Sequence, residues 1–383
     1  MNTKKIIKIS VAGVLIAIGL ALIPVSMELR KQSILAEIPS GKQNINQLPG
    51  NLANSPSPTP TPISFPLLTI DKILAISREQ IPSQTINLPQ NQITQIILVG
   101  DLMLGRSVNY NMHRKNDFAY PVAKVADRLK QADIVIANLE APILADCSLN
   151  TEGMKLCSDF QSLYTLYYAG IDIAQLANNH IWDYGQSGLD ETVKWVEFQG
   201  LQIIGLDKAA IKPVRNIKFG FLSYNQIYPT KEPTAKATPE RLRQDITQLR
   251  EQADVVIVSF HWGEEYKAQP NLEQKQLAKA SIDSGADVVY GQHPHWVQGM
   301  QIYQGKPIFY SLGNFVFDQM WSKETREGLA VELSFWQDQL TEVKLLPVYM
   351  NDIAQPDWQP VGIGNVTLGK IEKISQALAP LKD

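Results

Sequence analysis

Between Ile93 and Gly313 the chain repeats one pattern: a short apolar run that stops at a polar residue. The runs are ITQIILVG (93–100), ADIVIAN (132–138), GIDIAQLAN (170–178), LQIIGL (201–206), IKFGFLSY (217–224), DVVIVSF (254–260), ADVVYG (286–291) and KPIFYSLG (306–313). Runs this short and this apolar read as buried strands. Helix signals lie between several of them. Thr238-Pro239-Glu240 supplies a capping residue, a proline at the first position and an acid near the dipole. Asn271 caps the next helix and Gly285 ends it, and Ser187 with Asp190 reads as a capping-box-like start. Strands alternating with helices predict an α/β architecture. The stretch 328–348 alternates like antiparallel strands.

The residues that stop the runs carry the chemistry. The first leads into Asp101 and then Arg106, and the second through Asn138 to Glu140. The third leads into Asn178, Asn179, His180 and Asp183. Later runs deliver His261, then His293 and His295, then Asn314. In open α/β sheets ligands bind beyond the carboxyl ends of the strands. Of the 5 histidines only His113 falls elsewhere. Packing alone does not account for so many polar residues at strand ends. Imidazoles with carboxylate and amide oxygens suit one or two divalent ions of Mn, Fe or Zn, not a soft thiolate site. A histidine left unligated can serve as general acid. Asp183 either orients His180 through its second ring nitrogen or caps the turn before Tyr184-Gly185. Arg106 either holds an anionic group of the substrate or makes a surface ion pair. Trp182, Trp262 and Trp296 sit beside motif histidines, as cleft walls or as core.

The chain's start suggests a location. Lys4, Lys5 and Lys8 precede an uncharged stretch from Ile9 to Met27, just long enough to span a bilayer. The lysines favour a cytoplasmic N-terminus. This predicts a signal-anchor over 1–30, a cleaved signal peptide being the rival reading. A Pro/Ser/Thr-rich linker and lead-in follow over 31–91; SPSPTPTP (55–62) has too little apolar content to fold alone. A globular domain over 92–350 and a C-terminal extension over 351–383 complete the organisation. Cys147 and Cys157 either form a local disulfide, as suits a domain outside the cytoplasm, or remain free thiols. Net charge is -3, which excludes a bulk basic surface for nucleic acid.

Taken together, GDLMLGR (100–106), NLEAP (138–142), LANNHIWDYG (176–185), HWGEEY (261–266), GQHPHWVQ (291–298) and SLGNFVFDQ (311–319) resemble the CapA-like family of poly-γ-glutamate capsule biosynthesis proteins, over about 93–348. That family is related to calcineurin-like metallophosphoesterases. The resemblance implies a layered α/β sandwich with two central β-sheets flanked by helices. It implies metal ligation by Asp101, Glu140, Asn179, His261, His293 and His295, with Asn138 a rival carboxamide, and His180 as catalytic acid. One position departs: where the phosphoesterase pattern has a histidine two residues after the first aspartate, this chain has Met103. Three functions compete. One is an accessory protein for synthesis or export of poly-γ-glutamate or a similar anionic polymer, with membrane-embedded synthase or export partners. Another is a metal-dependent hydrolase of a phosphoester or γ-glutamyl amide in a polymer or small molecule. The last is a non-catalytic polymer-binding module. The domain is expected outside the cytoplasm, held to the membrane by its N-terminal helix.

Overall fold

The computed structural model describes residues 65–381, apart from 80, 82–87, 229, 232 and 235. The apolar stretch 9–27 and the run 55–62 lie outside the described residues. Among the described residues no helix is long and apolar enough to cross a membrane.

The strand runs form two large sheets. Strands β1 (Ile93–Leu102), β2 (Ile134–Leu139), β5 (Ile173–Gln175) and β6 (Gln202–Ile204) lie parallel in the first. Its other side is antiparallel: β14 (Glu327–Trp336) pairs with β1, β15 (Gln339–Asp352) with β14, and β16 (Gln355–Trp358) with β15. The short β13 (Asn314–Val316) adds to the end of β1 in parallel. The second sheet has the order β11-β12-β10-β9-β8-β7. In it β8 (Ile217–Asn225), β9 (Val255–His261), β10 (Val288–Gln292) and β12 (Lys306–Phe309) run parallel. The edges β7 (Ala210–Val214) and β11 (Met300–Tyr303) are antiparallel to their neighbours. A two-stranded ladder, β3 (Ile143–Leu144) with β4 (Ser158–Asp159), stands apart.

Alternation along each strand builds the layers. Ile96 and Leu98 of β1 face the second sheet and share a core with Phe219, Ile257 and Tyr290. Phe219 meets Phe335 edge-on across that gap, at 5.2 Å. Ile97 and Val99 face the other way, toward helices that bring Val108, Leu166 and Leu189. The second sheet's outer face packs Val256 and Val258 on Leu242, Ile246 and Leu277. The arrangement is helix, mixed sheet, mixed sheet, helix. Both faces of every inner strand are covered, which is why the runs are apolar throughout.

Two flanking segments belong to this body. The helix Ile70–Ser77 buries Ile73 and Leu74, and the helix Val361–Gln376 buries Leu368 and Ile371, in the core between the sheets. Thr238 and Asn271 cap as expected, the latter in a full capping box with Gln274. Ser187 does not cap. Its helix starts at Gly185, directly after the turn at 180–182, so Ser187 lies in the first turn and its hydroxyl donates to Tyr184 O.

Gly100 lets the first sheet close. A Cβ there would lie 1.9 Å from Gly313 O, the carbonyl that accepts Asp101 N–H at 3.0 Å. Gly100→Ala is therefore expected to part β1 from β13 and to lower stability by roughly 1–3 kcal/mol or more, read by urea unfolding.

Candidate metal centre

The carboxyl ends of the parallel strands in both sheets meet in one place. Asp101 closes β1 in register with Asn138 on β2, and Glu140 follows two residues later. His261 ends β9 in register with Gln292 on β10, and His293 and His295 follow. Asp101, Asn138, Glu140 and His261 have no exposed surface; His293 and His295 are 5% and 3% exposed. The first sheet thus brings acids and the second brings imidazoles.

Their atoms interlock across the gap. Asp101 Oδ2 is 3.2 Å from His295 Nδ1 and accepts from His293 N–H at 3.3 Å. The Asn138 amide donates to Asp101 Oδ1 at 2.9 Å and to Glu140 Oε2 at 3.1 Å. Asn138 Oδ1 accepts from Asn178, so in this arrangement Asn138 bonds the carboxylates instead of offering its oxygen to an ion. Asn179 Oδ1 is 2.8 Å from His261 Nε2. Two groups of ligand atoms gather within 4.8 Å of one another: Asp101, Glu140 and His261, and Glu265, His293 and His295. Glu140 Oε1 and His293 Nδ1 are buried with no hydrogen-bond partner. Buried polar atoms are ordinarily satisfied. Hard carboxylates and borderline imidazoles with spare lone pairs fit one or two divalent cations. The loop geometry is strained accordingly: His293 (φ 93°), His295 (φ 57°) and Tyr266 (φ 60°) all sit in the left-handed region.

The electrostatics point the same way. Burial and the charge of Asp101 hold the Glu140 carboxyl well above its ordinary range. Burial pushes His261 down to about 3 and His293 well below the usual imidazole value. Neutral imidazole is the ligand form. At Asp101 burial pushes upward, but the hydrogen bond and charge of His295 and the charge of His261 outweigh it and hold the carboxyl at about 2.

The remaining expected residues surround this cluster. His180 opens a short turn after Asn179, and its Nδ1 is 2.9 Å from Asp183 Oδ2. The same oxygen accepts Leu156 N–H at 2.6 Å. Arg106 lies in an ion pair with Asp318 at 2.5 Å and donates to Gly153 O, so its other anionic partner is part of the protein. Met103 is fully buried and its sulfur accepts from Gly105 N–H. Cys147 and Cys157 form a disulfide that closes the loop carrying Gly153 and Leu156. Trp262 is core, stacked on Phe260 at 4.2 Å with its Nε1 donating to Tyr310 O. Trp182 and Trp296 are half-buried at the rim.

One participant, Glu265, was not singled out from sequence, and another, Asn314, was read only as a run end. Glu265 lies in the HWGEEY run, but an acid beside a strand end is ordinary until the fold brings it to His293 and His295. Asn314 ends its run visibly, and only the pairing of β13 with β1 sets its Oδ1 2.9 Å from His295 Nδ1.

Comparisons with known proteins converge on one family. The family model described as "Bacterial capsule synthesis protein PGA_cap" matches residues 95–319. "Capsule biosynthesis protein CapA" of Bacillus anthracis is 33% identical over 266 residues, 63% of this chain and 64% of that relative. The match thus spans less than two thirds of that relative's length. "PGA biosynthesis protein CapA" of Bacillus subtilis (strain 168) is 31% identical over 274 residues, covering 66% and 71%. Among solved structures, a novel phosphatase of Mycoplasma pneumoniae aligns with TM-score 0.44 and 16% identity over 68% of this chain and 95% of that one. A putative 5'-nucleotidase of Staphylococcus aureus gives TM-score 0.43 and 14% identity, covering 73% and 58%. Both likenesses are too loose to bear on the chemistry.

A raised Glu140 pKa has a definite sign. Its contribution to stability is full at low pH and is lost as pH rises from the unfolded value, about 4.3, through the folded one. A divalent cation would reverse the loss. Glu140→Gln is expected to raise the melting temperature of EDTA-treated protein at neutral pH by a few degrees. It should also remove most of the stabilisation that added Mn or Zn gives the parent chain, as read by thermal shift.

Proposed function

Because the chain belongs to the bacterial capsule synthesis protein PGA_cap family, we propose that it serves synthesis, export or processing of poly-γ-glutamate or a similar anionic envelope polymer, through a divalent-metal hydrolase-like site. The observation that carries this reading is the convergence of Asp101, Glu140 and His261 with Glu265, His293 and His295, in which Glu140 Oε1 and His293 Nδ1 are buried without partners. Relatives named for capsule and PGA biosynthesis supply the polymer class. The N-terminal apolar stretch supports an extracytoplasmic domain anchored to the membrane, where membrane-embedded synthase or export proteins would be its partners. The Cys147–Cys157 disulfide supports an oxidising compartment.

The chain's own residues divide the work. Asp101, Glu140, His261, His293 and His295, with Glu265 and the Asn179 oxygen, would hold one or two ions of Mn, Fe or Zn. When bound, such ions supply oxyanion stabilisation and an activated water. Asp183 holds His180 by Nδ1, leaving Nε2 to give a proton to a leaving amine or alkoxide. The backbone amide of Leu156 fixes Asp183 in turn. Arg106, held by Asp318, keeps the loop after β1 in place.

A second reading has its own observation. Met103 occupies the place where the phosphoesterase pattern has a histidine, and its buried sulfur is engaged by Gly105 N–H. One imidazole fewer favours binding and handover of the polymer without cleavage.

The test uses the purified chain. Elemental analysis is expected to find one or two equivalents of Mn, Fe or Zn, lost in His293→Ala. Hydrolysis of poly-γ-glutamate and of a phosphoester is expected to stop with EDTA. His180→Gln should slow turnover by about 10²–10⁴-fold with metal content unchanged. Metal-dependent binding without hydrolysis would select the second reading. No metal after reconstitution, with polymer binding indifferent to EDTA, would overturn both.

A further inference from the structure

The residues on either side of Asp183 are aromatic, and each carries a lysine. Lys155 Nζ lies 4.0 Å from the centre of the Tyr184 ring, and Lys231 Nζ lies 5.7 Å from that of Trp182. Both lysines are exposed, and neither joins a salt bridge among the described residues. Asp183, the carboxylate between the two rings, is already taken by His180 and the Leu156 amide.

Both lysines stand on loops tied to the His180 turn. Thr234 Oγ1 accepts from Trp182 Nε1 at 2.8 Å and donates to the carbonyl of Lys231 at 2.7 Å, so one hydroxyl holds the ring and the lysine's backbone together. Lys155 precedes Leu156 in the loop closed by the Cys147–Cys157 disulfide. That loop is fixed further where Gly153 O accepts from Arg106 and Thr151 O accepts from Ser107. A cation seated on a ring face keeps its charge and its other donors free for a ligand, whereas one paired with a carboxylate does not. The chain as a whole is slightly acidic, so attraction of an anion to this edge must come from local placement.

We infer that Lys155 and Lys231 form a carboxylate-binding rim on the His180 side of the metal centre, which holds a chain bearing regularly spaced carboxylates, as γ-linked polyglutamate does. The inference rests on the polymer reading above and adds what gives the site its preference for a long polyanion. The cluster at the strand ends takes the reacting group, and the rim takes the carboxylates of neighbouring units. Two flexible exposed cations suit such a ligand, because each contact is weak and gains come from several contacts made at once.

The test measures binding of fluorescent poly-γ-glutamate to the full chain at low and at physiological salt. Parallel measurements follow metal content and the binding of inorganic phosphate, a probe that engages the metals alone. In Lys155→Gln/Lys231→Gln, polymer affinity is expected to fall about tenfold and its salt dependence to flatten. Metal content and phosphate binding should stay as in the parent, and Lys155→Arg/Lys231→Arg should keep polymer affinity. Unchanged affinity and salt dependence in the glutamine variant would overturn the rim while leaving the polymer reading intact. An equal loss of phosphate binding would also overturn it, by placing the effect at the metals. A parent chain that binds no polymer would sink the polymer reading, and the rim with it.

Discussion

Asp101 joins the two sheets at the candidate metal centre. It closes a strand of one sheet, yet its carboxylate meets the backbone amide of His293 and the ring of His295 from the other. It has no exposed surface. A fully buried carboxylate is costly unless it is paired and hydrogen-bonded; Asn138 of the same sheet supplies one partner, and the partners from His293 and His295 depend on how the sheets are stacked. The stacking depends in turn on the apolar gap below, where Ile96, Leu98, Phe219 and Phe335 interdigitate. A shift of one sheet against the other would cost Asp101 its partners from the second sheet and separate the acids from the imidazoles.

The ends of the strands are also where the backbone leaves its ordinary conformations. His293 and His295 take positive φ on either side of Pro294, which turns both side chains toward one cluster within three residues of a strand end. The surrounding carboxamides stabilise that turn. Asn314 meets His295, Asn138 links Asp101 to Glu140, and Asn178 holds Asn138 and the amide of Ile181. The acids and imidazoles therefore rest on a scaffold of hydrogen-bonded amides, and Glu140 Oε1 and His293 Nδ1 are among the buried atoms left without a partner. Such an imbalance is expected where an ion completes the set.

The His180 edge is built differently. It stands on a short turn, not a strand end, and its position relies on loops from elsewhere in the chain. The disulfide-closed loop brings Leu156 to Asp183, and the loop after β8 brings Thr234 to Trp182. Loops with few buried side chains are the readiest parts of a protein to move. The candidate ligand residues thus sit at or just after strand ends, while His180 and the two lysines sit on a turn and loops.

Much of this was legible before any coordinates. Runs buried on both faces must be apolar throughout, so the strands and their polar ends stood out, and so did Asp101, Glu140, Asn179, His180, His261, His293 and His295. The caps at Thr238 and Asn271 were legible because capping is local. The Ser187 start was misread because the helix is launched by the turn before it, which no local capping pattern records. Glu265 stayed hidden because an acid beside a strand end has no distinguishing spacing. Sequence alone therefore determined which residue types stand at the ends of which strands, since burial and hydrogen bonding along one strand are local demands. Only the tertiary structure decided which ends meet, that Asn138 donates to the acids, that Arg106 is paired with Asp318, and that two lysines rest on Tyr184 and Trp182. Those outcomes depend on the register between sheets and on loop closure over long separations, where many pairings satisfy the same local pattern and packing of the whole chain selects one.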